Sequence, residues 1–114
     1  MSVQDFVHEV YRAAAFSPLC GIPVVRRMTA TAANIRVPVH FDKFIDAFYN
    51  EQTERTAFAL ISNNQRLFGA DNTGGWHLHP FDDPQQHIPL SSPLSFTDFL
   101  RMLEQQVSSE SPRP

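Results

Sequence analysis

Apolar residues recur along this chain with two different periods. Val3, Phe6, Val7, Val10, Tyr11 and Ala14 return at three- and four-residue spacing, the stripe of an amphipathic helix. The pattern predicts a helix over residues 2–16. Ser2 caps its start, Asp5 completes a capping box three positions on, and Pro18 and Gly21 end it. The period then drops to two. Ile35, Val37, Val39 and Phe41 alternate with Asn34, Arg36, Pro38 and His40, as in a half-buried strand. Pro38 has no N–H to give to a ladder, so this strand is expected at a sheet edge, or with the missing donor turned outward. Residues 43–49 fit a strand or a short helix, with strand preferred, and residues 55–62 form the clearest central strand. Asn63–Asn64 reads as a hairpin turn into a strand over 65–70, because asparagine tolerates the left-handed backbone that such a turn needs. Residues 71–75 (Asp-Asn-Thr-Gly-Gly) form a second tight turn before a short strand at 76–79. Residues 82–93 hold Pro84, Pro89 and Pro93 and read as a loop. Ser95 and Asp98 repeat the capping-box pattern, and Phe96, Phe99, Leu100, Leu103 and Val107 make the stripe of a last helix. The polar stretch 108–114 is expected to be a disordered tail.

This order of elements predicts an α+β domain over residues 1–107. An antiparallel meander of about five strands carries the N-terminal and C-terminal helices on one face. The other face, or the edge strand holding Pro38, is then open to a partner.

Composition narrows the possibilities. A chain of 114 residues with 42% hydrophobic content is one packed domain. No apolar run is long enough to span a bilayer, and Asp5, His8 and Glu9 interrupt any leader-like pattern, so no membrane partner and a cytoplasmic location are expected. The single cysteine, Cys20, cannot close an internal disulfide and has no obvious activating neighbour. A formal net charge of −3, with Arg26–Arg27 the only adjacent basic pair, argues against a dedicated nucleic-acid binder. An enzyme that makes a few phosphate contacts remains compatible with it.

The chemistry concentrates in residues 69–80. If 76–79 is extended, His77 and His79 project from the same surface and Leu78 points into the core. A histidine pair of this kind can divide the acid and base roles of phosphodiester cleavage. Arg66 on the preceding strand is placed to neutralise charge on the phosphorus centre, and Asp71 to orient an imidazole. Trp76, if exposed, can stack a base, and Trp76 and Asn72 are the candidate substrate contacts. Metal-independent catalysis of this type requires both imidazoles to be exposed. The same H-x-H spacing also suits a metal ion, with His87, or one of Asp71, Asp82 and Asp83, completing the set. The pair alone lacks the second fixed ligand cluster that marks a zinc site in sequence.

The segment from Arg55 and Phe58, through Gln65-Arg66-Leu67-Phe68 and Asp71-Asn72, to His77-x-His79-Pro80 and the helix opened by Ser95-Phe96, resembles the small TumE-type toxins of prokaryotic toxin–antitoxin pairs. The likeness covers residues 35–105. The chain departs from the pattern in having Gly69-Ala70, not an arginine, directly before Asp71-Asn72. The resemblance implies a growth-inhibiting protein that acts on RNA and is neutralised by an antitoxin partner. Beside this expectation of a metal-independent ribonuclease stand two others. One is a non-enzymatic or homodimeric binding module that uses the sheet edge or an aromatic patch of Phe44, Phe48 and Tyr49. The other is a protein that holds a metal at His77, His79 and His87.

Overall fold

The computed structural model describes residues 1–110, with side chains to residue 107. Helix α1 (Val3–Ala15) leads into seven strands: β1 (Val24–Met28), β2 (Ala32–Val39), β3 (Lys43–Asn50), β4 (Thr56–Ser62), β5 (Gln65–Asp71), β6 (His77–His79) and β7 (Ile88–Pro89). Helix α2 (Phe96–Glu110) follows. Both helices start as their sequences indicate. At α1, Asp5 N–H donates to Ser2 Oγ at 3.0 Å, and Ser2 N–H donates back to the Asp5 carboxylate at 3.1 Å. At α2, Asp98 N–H donates to Ser95 Oγ at 3.0 Å. Helix α2 runs through Glu110, past the expected start of the tail, and residues 111–114 lie outside the described residues.

The strands pair in chain order, each antiparallel to the next, so the sheet is an open meander. Among the described residues it has seven strands, not about five. The extra strands are short or polar. β1 shows almost no buried position, and β7 is a two-residue pairing inside what reads as a proline-rich loop. Neither carries the alternation that marks a strand in sequence. β4 is central, as its composition indicates. The Asn63–Asn64 turn between β4 and β5 has φ of 52° and 62°, the left-handed pair of a tight hairpin.

β2 is not an edge strand. It is flanked by β1 and β3, and Pro38 pairs with Phe44. The proline is accommodated because its carbonyl accepts from Gly21 N–H at 2.8 Å, so its donor-less nitrogen faces the irregular segment before β1 and not the β3 ladder. The edges of the sheet are β1 and β7.

Both helices lie on one face. Ala33, Ile35 and Val37 of β2, Ile45, Ala47 and Tyr49 of β3, Phe58 and Leu60 of β4, and Phe68 and Ala70 of β5 point to that side. There they join Val3, Phe6, Val10, Phe96, Phe99 and Leu103 in one buried cluster. Phe58 is its centre, 5.4 Å from the Phe99 ring, 5.7 Å from Phe96 and 6.5 Å from Phe6. Tyr49, an expected member of an exposed aromatic patch, is buried here and donates its hydroxyl to Met1 O at 2.8 Å. Phe44 and Phe48 are half-buried on the opposite face, with the Arg36 guanidinium 3.9 Å above the Phe44 ring.

A histidine cluster on the open face of the sheet

Register determines which side chains reach the face that the helices leave open. β5 pairs Asp71 with His77 and Gly69 with His79, while Ala70 and Leu78 pair on the core side. His77 and His79 therefore share the open face with Asp71, and Leu78 packs against the core, as alternation requires. β7 then lays Ile88 beside Leu78, which leaves His87 next to the two imidazoles. The three rings sit close together: His77 to His79 is 4.9 Å between centroids, His77 to His87 is 4.8 Å and His79 to His87 is 4.5 Å. One ring nitrogen from each lies within 4.8 Å of the others.

Arg66 reaches the same face through a β-bulge. The β4–β5 register runs Leu60 to Phe68 and then Ile61 to Arg66, so Leu67 is the extra residue. Without the bulge, Arg66 and Phe68, two positions apart, would point the same way, into the core. The inserted residue turns Arg66 to the open side. Its stem lies over Gly69, where a Cβ would fall 3.0 Å from Arg66 Cδ and 3.0 Å from Phe58 O. Its Nη2 donates to Pro84 O at 3.0 Å, which ties the 80–87 segment to β5.

The carboxylate of Asp71 organises the site. Oδ1 accepts from Thr73 N–H at 3.0 Å and lies 3.2 Å from His77 Nε2, while Oδ2 lies 3.2 Å from His79 Nε2. Burial pushes this carboxyl up, but the Thr73 N–H and the two imidazoles outweigh it and hold it below its ordinary value. Burial lowers the pKa of His79, and Arg66 and His87 add to the effect. The bond to Asp71 opposes them without reversing the shift. His79 is therefore neutral near pH 7. With its proton on the Nε2 that faces the carboxylate, Nδ1 carries a lone pair. That Nδ1 is buried and has no hydrogen-bond partner, and the residue is 2% exposed. At His77, Nδ1 lies 3.0 Å from Gly75 O; a carbonyl only accepts, so Nδ1 carries a proton, and Nε2 faces the Asp71 carboxylate.

The expected site residues thus divide. His77, His79, Asp71 and Arg66 come together, and His87 joins them from a segment read as loop. The expectation of two exposed imidazoles fails at His79, which is buried. Trp76 lies on the other face, half-buried against Phe58 and Phe96, so it does not flank the histidines. Asn72 is occupied by structure. Its Oδ1 accepts from Thr56 N–H at 2.9 Å and its Nδ2 donates to Glu54 O at 2.8 Å, tying the turn to the start of β4. Asp82 and Asp83 are exposed. The Cys20 thiol is pushed up by burial, the opposite of an activated nucleophile.

No family model, curated protein or solved structure matches this chain. The resemblance to TumE-type toxins therefore rests on the residues quoted for it alone.

Proposed function

We propose that this protein binds a divalent transition metal of the zinc class through His77, His79 and His87, with Asp71 as the carboxylate that orients the imidazoles. The observation that carries the reading is the convergence of three ring nitrogens within 4.8 Å. Around a tetrahedral zinc with Zn–N distances of about 2.0–2.1 Å, ligand nitrogens stand about 3.4 Å apart, so small side-chain rotations close the site. The chemistry of the donors agrees. His79 offers a buried lone pair at Nδ1 and bonds Asp71 through its other nitrogen; His77 donates its Nδ1–H to the Gly75 carbonyl, and its Nε2, which faces Asp71, would turn to the metal. A carboxylate or carbonyl behind an imidazole, as at these two, is the usual outer support of a histidine–metal bond. Three histidines leave a fourth position for water or an exogenous ligand, reached from the exposed His87 side. A metal there acts as a Lewis acid and brings a bound water toward neutral pKa.

A second reading, the toxin-like ribonuclease with an antitoxin partner, draws support from one feature. Asp71 contacts both imidazoles, the arrangement that orients a general base. The near-complete burial of His79 counts against it as a group that meets RNA directly.

Calorimetric titration of the chelator-stripped protein with Zn(II) separates the two readings. The metal reading expects one bound ion, lost in His79→Ala and weakened in His77→Ala and His87→Ala. No binding to folded wild-type protein overturns it. RNA cleavage that persists in chelator and dies in His77→Ala and His79→Ala establishes the second reading.

A further inference from the structure

Arg66 is a cation whose partners are incomplete. It is half-buried, its Nη2 is used by Pro84 O, and its Nε is buried without a hydrogen-bond partner. Among the described residues it makes no ion pair, and the Asp71 carboxylate on this face is directed at His77, His79 and Thr73. Burying part of a guanidinium without a counter-charge is unfavourable unless something else supplies one. Three features of the backbone nevertheless hold Arg66 in this position. The bulge at Leu67 turns it to the open face. The missing side chain at Gly69 makes room for its stem. The register of β5 and β6 then places that stem beside His79, which pairs with Gly69.

We propose that the centre takes an oxyanion, the phosphoryl or carboxylate group of a small anionic ligand, with one oxygen on the metal's open position and another on the Arg66 guanidinium. This rests on the metal reading above. Arginine is suited to the role because its planar array of N–H donors matches two oxygens of one group and its charge does not titrate away. A hard oxygen donor also suits the fourth position of a three-histidine centre. The ligand's negative charge balances both the metal and Arg66, which neutral ligands cannot do.

The test uses the full chain loaded with Co(II), whose visible absorption reports changes in coordination, titrated separately with inorganic phosphate and with acetate. Wild type should bind one Co(II) and show a saturable spectral change with at least one of the two anions. The more effective anion identifies the group. Arg66→Gln should keep the Co(II) stoichiometry and lose anion affinity by about tenfold or more. Arg66→Lys, which keeps the charge but not the planar donor array, should fall between them. Far-UV circular dichroism checks that each variant is folded, and the lysine variant carries the test if the glutamine variant is not. A wild-type Co(II) complex that responds to neither anion, or responds equally well in folded Arg66 variants, overturns the oxyanion site and leaves the metal reading standing. Failure of wild type to bind Co(II) removes both.

Discussion

The sheet has the same backbone on both sides but two kinds of filling. Toward the helices, Phe58 packs against Phe6, Phe96 and Phe99, and the surrounding positions are aliphatic or aromatic. On the opposite side, the β5–β7 end carries three imidazoles, a carboxylate and a guanidinium. Hydrocarbon packing stabilises through area removed from water and leaves no group unsatisfied. The polar cluster leaves His79 Nδ1 and Arg66 Nε without partners. Stability should therefore reside mainly on the helix side and ligand binding on the open side, and the two should be separable by mutation.

The largest effect is expected on the helix side. Phe58→Ala removes the ring at the centre of the aromatic cluster and should cost about 3–5 kcal/mol in urea unfolding. A cost near zero would mean that the helices do not depend on this face. The converse perturbation is addition of metal. Zn(II) at a hundred times its dissociation constant should stabilise wild type by about 2.7 kcal/mol, and His79→Ala by nothing. Metal-independent unfolding of wild type, measured with and without chelator, would erase the distinction between the faces.

How far each side can be read from sequence follows the same division. The helix-side pattern is repeated many times over, at Val3, Phe6 and Val10, at Ile35 and Val37, and at Phe96, Phe99 and Leu103, so helices, central strands and core are all legible. The open-face site depends on single events. His77 and His79 are legible because they are two apart on one strand. Arg66 joins them only through a one-residue bulge, which Gln-Arg-Leu-Phe does not announce. His87 joins through a two-residue strand whose Pro89 argues against strand at all. Trp76 and Asn72 were candidates by adjacency, but adjacent positions on a strand face opposite ways, and the Asn72 amide is occupied by backbone groups.

A smaller expected effect isolates the carboxylate. Asp71→Asn keeps the size of the side chain and removes the charge that orients His77 and His79. Metal affinity should fall about 10–100-fold, as is usual for a partner of a ligating histidine, with the stoichiometry unchanged. Loss of the site altogether would make Asp71 a direct ligand, and no change would remove it from the site.

The smallest effect is the pH dependence, and its sign follows from the two shifted groups. His79 has a folded pKa below its ordinary 6.5, and Asp71 has one below its ordinary 3.8. In each case the unfolded chain takes up protons before the folded one, so stability falls as pH falls. The His79 contribution is fully present above 6.5 and is lost as pH drops from there toward its folded value; the Asp71 contribution begins to be lost near 3.8. One proton bounds the slope at about 1.4 kcal/mol per pH unit. In chelator, urea midpoints at pH 7.5 and 5.5 should therefore drop more for wild type than for His79→Gln, which carries no titrating ring but keeps a donor within reach of Asp71. Equal drops would mean that His79 titrates alike in the folded and unfolded chain. Its buried position would then carry no energetic signature, and the case for a lone pair held ready at Nδ1 would weaken with it.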